Sequence, residues 1–456
     1  MKETTIKKNE EYIVDIIDQG FEGEGIAKIN HFAVFVPGAI KGEKVKVLIV
    51  KVNASYAFGK IVEVISASPS RNEQVDCTTY KRCGGCNLRH MHYEDTLKLK
   101  KNTVENLVRK TLKSKVKVKD TIGMEEPYYY RNKAQYPVGI DKAGNPVIGV
   151  FANRTHEVIP IQGCKIQHKE SQKIAQYICH FMKQHHISVY NETNLAGVVR
   201  HIMIKIGVKT NEIMCVLVIN GENFPQEELL VEELVENFPH IKTIVKNINT
   251  KNTNVILGKE NINLYGDGYI YDKLGDYTFK ISPLSFYQIN PLQTEKLYKI
   301  AVDYAGLTGN ETVVDLYCGI GTIGIYMAKQ AKKVYGVEIV EQAIEDAKEN
   351  CKINGITNAE YYAGDAEVVF DKLIHEQQIK PDVIVVDPPR KGLDNTTVDN
   401  LIEIKSSKIV YISCNPATLM RDLAKLEEHY IIGDIQPVDM FPFTSHVECV
   451  TVLTIK

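Results

Sequence analysis

The residues that could do covalent chemistry lie near the C-terminus, in segments 413–416 (SCNP) and 445–448 (SHVE). Cys414 follows an apolar run that predicts a β-strand, and it precedes a helix predicted to start near Thr418. Ligands bind at the carboxyl ends of sheet strands, and a helix N-terminus can lower the pKa of a thiol. A lone cysteine is more often a packed core residue, so it is the position of Cys414 that favours a nucleophile. Glu448 starts the final predicted strand and is a second candidate catalytic group.

A glycine-rich turn, GIGTIG at residues 319–324, lies between a predicted strand and a predicted helix. Such a turn lets the backbone approach a ligand closely, and it fits both a dinucleotide and S-adenosylmethionine. Glu338, at the end of the second strand, is placed to hold ribose hydroxyls in either case. S-adenosylmethionine is favoured by three further features that hydride transfer does not need. They are Asp315 at the end of the first strand, Asp365 where an adenine amine could donate, and the DPPR segment at 387–390.

Four of the ten cysteines form a spaced set. Cys77, Cys83 and Cys86 lie close together, and Cys164 follows 78 positions after Cys86. A reduced cytosolic chain with so few cysteines uses such a cluster for metal binding or catalysis, not for disulfides. Four thiolates suit Zn²⁺ or a 4Fe–4S cluster, although the spacing differs from the paired CX2C of zinc knuckles. The residues alone leave zinc, iron–sulfur and a site without metal open.

The elements that must position these groups follow from the apolar pattern. Alternating strands and helices after residue 311 predict an α/β, doubly wound parallel sheet. Short strands and glycine turns at the N-terminus predict a small β-barrel, either generic or of the oligonucleotide-binding kind. Strands and helices mix between these two parts. We therefore expect a barrel at 1–66, a central α/β domain with the cysteine site at 67–275, and the catalytic domain at 276–456.

Composition narrows the class of protein. Hydrophobic residues make up 44% of the chain and charged residues 25%, which excludes a largely disordered or fibrous protein. No apolar stretch approaches the roughly 18 residues of a membrane span, and the charged N-terminus lacks a signal-peptide core. We therefore expect a soluble, cytoplasmic protein without a membrane partner. Residues 81–119 carry 12 Lys or Arg against 3 Asp or Glu, which indicates either a phosphate-binding surface or a solvated helix face.

Taken together, these motifs resemble the RNA uracil-5-methyltransferases, a class I family that uses S-adenosylmethionine. The resemblance covers essentially the whole chain, in the same order, and is carried by segments 286–290 (FYQIN), 315–319 (DLYCG), 387–390, 413–416 and 446–448. Residues 1–66 resemble the TRAM domain. The spaced cysteines resemble the family's iron–sulfur site, which implies a 4Fe–4S cluster on Cys77, Cys83, Cys86 and Cys164. The subgroup that has both parts acts mainly on 23S ribosomal RNA, which is therefore the implied substrate.

The resemblance also implies a mechanism. The Cys414 thiolate adds to carbon 6 of a uridine, carbon 5 gains carbanion character and takes the methyl group, and Glu448 then removes the proton from carbon 5. The base must be unstacked to enter such a pocket, so a loop uridine is expected. Arg131 is expected to contact the RNA. The residues implied to line the cofactor or the crevice are Gln288, Tyr317, Glu338, Asp365 and Asp387.

Three other interpretations stay open. An RNA cytosine-5-methyltransferase also uses thiolate addition, but it often carries a cysteine in the loop where this chain has DPPR. A transfer-RNA uridine methyltransferase shares the catalytic core. A non-catalytic RNA-binding factor could retain the fold, although the presence of Cys414 and Glu448 speaks against it. We expect a monomer.

Overall fold

The computed structural model describes residues 6–152 and 155–456. Its first part is a six-stranded sheet in the order β1-β5-β6-β4-β3-β2. Alternate residues of the long fifth strand, such as Val45, Val47 and Ile49, fill the interior. Ile16 and Ile17 connect the two edge strands β1 and β2. The Ile16 N–H donates to the Glu43 carbonyl and the Ile17 N–H donates to the Ile26 carbonyl, so the two edges are drawn together and the sheet curls into a barrel. The strands are β1 (Glu11–Asp15), β2 (Asp18–Gln19), β3 (Gly25–Ile29), β4 (Phe32–Val36), β5 (Lys44–Val52) and β6 (Tyr56–Ser66).

The second part is a seven-stranded sheet in the order β13-β12-β11-β10-β7-β8-β9. Its central strands are apolar runs that are buried on both faces. Helices α2 and α3 cover one face, and the other face packs on the C-terminal part of the chain. The elements are α1 (Tyr93–Thr111), β7 (Lys133–Ile140), β8 (Pro146–Phe151), β9 (Val158–Pro160), α2 (Lys169–Gln184), β10 (Val199–Ile206), β11 (Ile213–Ile219), α3 (Glu227–Asn237), β12 (Ile241–Ile248) and β13 (Glu260–Tyr265).

The third part begins with a hairpin and a helix that precede the catalytic sheet. Helix α4 starts where Asn290 accepts a hydrogen bond from the Gln293 N–H, with Pro291 in its first turn, and it ends at Gly306. Its inner side packs on the hairpin and on the catalytic sheet. These elements are β14 (Ile270–Leu274), β15 (Tyr277–Ile281) and α4 (Pro291–Ala305).

The catalytic sheet has the order β18-β17-β16-β19-β20-β23-β21, with β22 also paired to β23. The predicted doubly wound α/β sheet is confirmed, and its first five strands are parallel. The last strand runs antiparallel to β20 because it returns from a hairpin and not from a helical crossover. The elements are β16 (Thr312–Leu316), α5 (Thr322–Ala328), β17 (Lys333–Glu338), α6 (Glu341–Ile353), β18 (Ala359–Ala363), α7 (Ala366–His375), β19 (Val383–Val386), α8 (Asn395–Ile404), β20 (Lys408–Ser413), α9 (Pro416–Leu426), β21 (Tyr430–Ile432), β22 (Gln436–Val438) and β23 (Glu448–Ile455).

Helix α1 packs away from the central sheet that follows it in the chain. Its buried stripe is Thr96, Lys100, Val104 and Val108, at a spacing of four residues that keeps one face of a helix together. Val104 and Val108 join the apolar core beneath α9 of the catalytic domain. The predicted domain limits stay a prediction. No helix in the described parts of the chain has the length and apolar character that crossing a bilayer requires.

Candidate active site

The two predicted catalytic residues lie opposite each other on neighbouring strands. The antiparallel register of β20 and β23 pairs Ser413 with Cys449. In an antiparallel pair, residue numbers rise along one strand while they fall along the other, so Cys414 and Glu448 are the next residues to face each other. Glu448 is also paired with Val438 of β22, which fixes it from its other side. Glu448 is 4% exposed and Cys414 is half-buried, so the pair lies at the wall of a crevice.

The turn after β20 holds Cys414 at the mouth of the sheet. The Asn415 amide donates to the Ser413 hydroxyl at 3.1 Å, and its side-chain oxygen accepts from the Ala417 N–H at 3.1 Å. This cap begins α9 at Pro416, two residues before the predicted start. The Asn415 side-chain NH₂ also donates to the Arg390 carbonyl at 3.0 Å. The cysteine turn and the 387–390 loop are therefore joined.

Acidic groups dominate the electrostatics of the crevice. Burial raises the pKa of the Cys414 thiol to about 12, and the carboxylates of Glu448 and Asp387 add to this effect. Burial also raises the pKa of Glu448, again with a contribution from Asp387, and burial raises the pKa of Asp387 itself. The Arg390 guanidinium acts in the opposite direction on Cys414 and Glu448. Such a crevice favours a positively charged ligand, because a cation offsets the cost of ionising these groups.

Two further basic residues surround the crevice mouth. The Arg390 side chain lies 3.4 Å from Nε2 of His446. Burial, together with the charges of Arg390, Lys100 and Arg131, lowers the pKa of His446 to about 4, so the ring is neutral at physiological pH. The charge of Arg131 also reaches Cys83, and its Nε has no hydrogen-bond partner among the described residues. Arg131 therefore lies between the crevice and the cysteine region.

Asp315 closes the floor of the predicted cofactor site. It is fully buried, and its Oδ2 accepts from the Gly324 N–H at 3.0 Å. Its Oδ1 is also buried but finds no hydrogen-bond partner in the described structure. Burial, with the nearby charge of Asp387, raises the pKa of Asp315 to about 8. An unpaired acceptor in such a position fits a bound ligand that donates a hydrogen bond or carries positive charge.

The glycine turn and Glu338 form the adjacent wall. Glu338 accepts from the Gly319 N–H at 3.2 Å and from the Val340 N–H at 3.0 Å, so the turn is fastened to the end of β17. Gly321 has a φ of +79°, and a Cβ there would lie 2.8 Å from the Tyr361 hydroxyl. A larger residue would not allow this close packing. The residues at this wall fit the adenosyl part of S-adenosylmethionine.

The other three predicted cofactor residues have different surroundings. The loop that carries Gln288 is held by Asn132, which donates to the Gln288 carbonyl at 2.9 Å. Tyr317 has a φ of +66° and bonds to Thr397 beside α8. Asp365 is exposed and caps α7 by accepting from the Glu367 N–H at 3.0 Å. Capping by itself accounts for an aspartate at position 365.

The four predicted metal-binding cysteines lie in turns and loops, outside the helices and strands of the described chain. Cys77, Cys83, Cys86 and Cys164 are all half-buried. Burial raises the pKa of Cys86 to about 12, with smaller contributions from the other three thiols. Within residues 6–152 and 155–456, no group of three or more side chains has the arrangement of a formed metal site. The predicted cluster therefore stays a prediction, on thiols close enough to influence one another.

Sequence reasoning missed the residues that support the crevice from the central sheet. Lys205 is buried in β10, and its ammonium donates to the carbonyls of Ser282 at 2.7 Å and Ser285 at 2.9 Å. It thereby holds the loop that leads to Gln288. Burial lowers the pKa of Lys205 to about 7. The signal was a lysine inside an apolar strand, since a charge there needs a partner.

Comparison with known proteins agrees with this geometry. The family tRNA (Uracil-5-)-methyltransferase matches residues 92–456, and the TRAM domain matches residues 7–62. An uncharacterized RNA methyltransferase of Clostridium acetobutylicum is 48% identical over 452 residues, which is 98% of each chain. One from Halalkalibacterium halodurans is 45% identical over 457 residues, covering 100% of this chain and 99% of that one. The crystal structure of Pyrococcus abyssi tRNA (uracil-54, C5)-methyltransferase with S-adenosyl-L-homocysteine superposes with a TM-score of 0.76 at 27% identity, over 97% of this chain and 99% of that chain.

Proposed function

Because this chain belongs to the tRNA (uracil-5-)-methyltransferase family, we propose that it methylates carbon 5 of an RNA uridine through a covalent adduct of Cys414 with carbon 6. The chain is an S-adenosylmethionine-dependent RNA methyltransferase. The observation that carries the proposed mechanism is the opposition of Cys414 and Glu448 across β20 and β23. A nucleophile and a base on facing strands can act in turn on one base.

Formation of the adduct requires the Cys414 thiolate. Its proton must pass to a neighbouring group, because the buried thiol ionises poorly among carboxylates. Asp387 is suited to receive it, since burial raises the pKa of Asp387 and so brings it closer to that of the thiol. Glu448 then stays free to act as the base at carbon 5. Arg390 stabilises the thiolate that remains. Sulfur then bonds to carbon 6, and the electron pair of the 5,6 double bond makes carbon 5 nucleophilic.

The cofactor would be held by Asp315, Glu338 and the glycine turn. When bound, S-adenosylmethionine supplies an electrophilic methyl group. Asp315 Oδ1 and the acidic crevice fit its positive charge. Gln288, Tyr317, Asp365 and Asp387 complete the proposed site, with Asp365 at its exposed edge.

Glu448 completes the reaction. After methylation, carbon 5 carries both the methyl group and its original proton. Glu448 takes that proton, the 5,6 double bond reforms, and the carbon–sulfur bond to Cys414 breaks. A carboxylate whose pKa is raised by burial is a more effective base for this step than an exposed one.

We propose 23S ribosomal RNA as the substrate, with a loop uridine as the target. This choice is supported by the TRAM domain together with the four spaced cysteines. Arg131 and Arg390 at the crevice mouth would contact the phosphates beside the flipped base. Transfer RNA is the second candidate, favoured by the Pyrococcus abyssi enzyme that this chain resembles over almost its whole length.

The cysteine site is part of the proposal. We propose that Cys77, Cys83, Cys86 and Cys164 bind a 4Fe–4S cluster, because four cysteine thiolates are its usual ligand set and all four are free and half-buried. Methyl transfer needs no electron, so the cluster would shape the protein around it. We also propose three domains, at residues 1–66, 67–275 and 276–456, in a monomeric cytoplasmic enzyme.

The substrate is tested by methylation of separated RNAs. Purified enzyme is given 23S ribosomal RNA or total transfer RNA from cells that lack the gene, with isotopically labelled S-adenosylmethionine. Nucleoside mass spectrometry should find labelled 5-methyluridine in 23S RNA. Label confined to transfer RNA would select the second candidate, and label in 5-methylcytidine would contradict uridine chemistry.

A further inference from the structure

The hairpin loop 439–447 leads directly into the proposed base. It joins β22 to β23, and Val438 at its start is paired with Glu448 at its end. The loop also carries His446, which faces Arg390 across the crevice mouth. Any displacement of the loop therefore moves groups that line the reaction site.

Helix α1 holds the first half of this loop through a buried polar cluster. Lys100 forms an ion pair with Asp439, and both side chains are 1% exposed or less. The Lys100 ammonium also donates to the Phe441 carbonyl at 3.1 Å, and the Tyr93 hydroxyl donates to Asp439 Oδ2 at 2.7 Å. A buried ion pair contributes little net stability compared with apolar packing, but it fixes geometry.

The segment between the cysteines and α1 holds the second half. The Leu88 N–H donates to the Phe443 carbonyl at 2.9 Å. Asn87 accepts from the Ser445 N–H at 2.8 Å and donates to the Ser445 hydroxyl at 2.9 Å. The guanidinium of Arg89 lies 4.5 Å from the centre of the Phe443 ring. Asn87 is exposed, and its side-chain NH₂ also donates to the Glu22 carbonyl at 2.7 Å, so it ties the loop to the first part of the chain without filling a core.

We propose that Asn87 and Tyr93 are positioning residues for Glu448, and that they act on the removal of the carbon 5 proton. This inference rests on the proposed function. Both residues come from a part of the chain more than 340 positions before the loop. Cys414 is held separately, by the Asn415 turn and Arg390. Loosening the loop should therefore impair the base and spare the nucleophile.

The test measures the two steps separately in Asn87→Ala and Tyr93→Phe. RNA containing 5-fluorouridine traps the adduct without proton removal, so trapping should stay within about twofold of wild type. Turnover on uridine RNA should fall about tenfold or more, because small misplacements of a catalytic group are costly. The methylated adduct should accumulate on denaturing gels. Asn87→Asp, which keeps the acceptor for the Ser445 N–H, should recover part of the turnover.

Two controls separate positioning from other defects. Asn102→Ala changes an exposed residue on helix α1, the helix that carries Tyr93, and should behave as wild type. Metal content is measured in both variants, because Asn87 follows Cys86 and Tyr93 packs against the same apolar cluster as Cys86 and Cys164. A metal content equal to that of wild type excludes damage to the cysteine site as the cause of a shared defect. Trapping and turnover that fall in equal proportion, without adduct accumulation, would overturn the inference, as would unchanged turnover. A wild-type enzyme that forms no adduct with 5-fluorouridine RNA would instead overturn the proposed mechanism itself.

Discussion

The catalytic crevice and the cysteine site both contain thiols whose ionisation is opposed by their surroundings, but the two sites are built from different kinds of structure. In the crevice, Cys414, Glu448 and Asp387 each follow or begin a strand of one sheet. The cysteine site is built from residues 67–92, which form turns and isolated bridges, and from a loop cysteine. Burial raises the pKa of a thiol in both places, helped by the carboxylates of Glu448 and Asp387 at Cys414 and by the other cysteines at Cys86. Each site would thus favour a cation, the sulfonium of S-adenosylmethionine in the crevice and, under our proposal, iron at the cysteines.

The difference lies in what fixes the distances. Sheet register sets Cys414 opposite Glu448 before any ligand arrives. The cysteine segments lie outside helices and longer strands, and their geometry would depend on the proposed cluster and on docking against neighbours such as the 439–447 loop. A change in the crevice should therefore remove chemistry without disturbing the fold. A change among the cysteines should disturb structure first and chemistry second.

The largest expected effect is that of Cys414→Ala. Methylation should fall by at least about 10⁴-fold, because no other group can make the bond to carbon 6. Affinity for S-adenosylmethionine should stay within about twofold, since the thiol acts on the base and not on the cofactor. Labelled-methyl transfer and calorimetric titration measure the two quantities. Adduct formation by Cys414→Ala would show that another nucleophile is at work.

Glu448→Gln should lower turnover by roughly 10²–10⁴-fold, the usual contribution of a general base. Cys414 is intact in this variant, so a methylated RNA adduct should form once and persist. The exposed Glu428→Gln serves as a control that should leave turnover unchanged. Normal turnover by Glu448→Gln would place the base elsewhere, with Asp387 the next candidate.

The same variant tests the charge coupling in the crevice. The Glu448 carboxylate contributes to the raised pKa of Cys414, so removing its charge should lower that pKa. The thiolate fraction at a given pH then rises, and the pH profile of 5-fluorouridine trapping should shift to lower pH than in wild type. A shift to higher pH would mean that Glu448 is needed to accept the thiol proton.

At the cysteine site, protein purified without oxygen should be brown and contain about four iron atoms. Cys164→Ser and Cys83→Ser should lose iron to a similar degree, because either change leaves an incomplete ligand set. Cys179 is buried and lies outside this set, so the Cys179→Ala variant should keep its iron. Colourless protein with stoichiometric zinc would contradict the iron assignment while leaving the crevice chemistry intact.

The smallest effect is expected for Asp365→Ala. Its side chain caps α7 and lies at the exposed edge of the proposed cofactor site. Loss of the cap should cost about 1 kcal/mol of stability, and S-adenosylmethionine affinity should fall less than about threefold. Thermal unfolding and cofactor titration provide the two values. A tenfold loss of affinity would instead make Asp365 a principal adenine contact.

The sequence predicted the parts of the fold that depend on local pattern. Strands β16, β19 and β20 are examples, because each is a short apolar run after residue 311 that lies between turn residues. The antiparallel course of β23 was not predicted, since pairing direction depends on a hairpin and not on strand composition. The lysine on the buried stripe of α1 was a signal for the ion pair of Lys100. Its partner Asp439 lies 339 positions away and could not be identified from spacing.

The candidate catalytic residues Cys414 and Glu448 could be proposed from the sequence because both lie in motifs at strand ends, and their roles stay a prediction. Their supports could not be proposed, since Asn87, Lys205 and Asn132 act through backbone contacts that leave no motif. Asp365 is the opposite case. Its motif suggests a ligand contact, but in the structure its side chain caps helix α7.

The most direct test of the account is the intact mass of the complex formed by Glu448→Gln, uridine RNA and S-adenosylmethionine. The account predicts a covalent species whose mass equals protein plus RNA plus one methylene, since a methyl group is gained and a proton is lost. Proteolysis and fragmentation should place the RNA on Cys414. A complex without the added methylene, or with the RNA on a different residue, would contradict it.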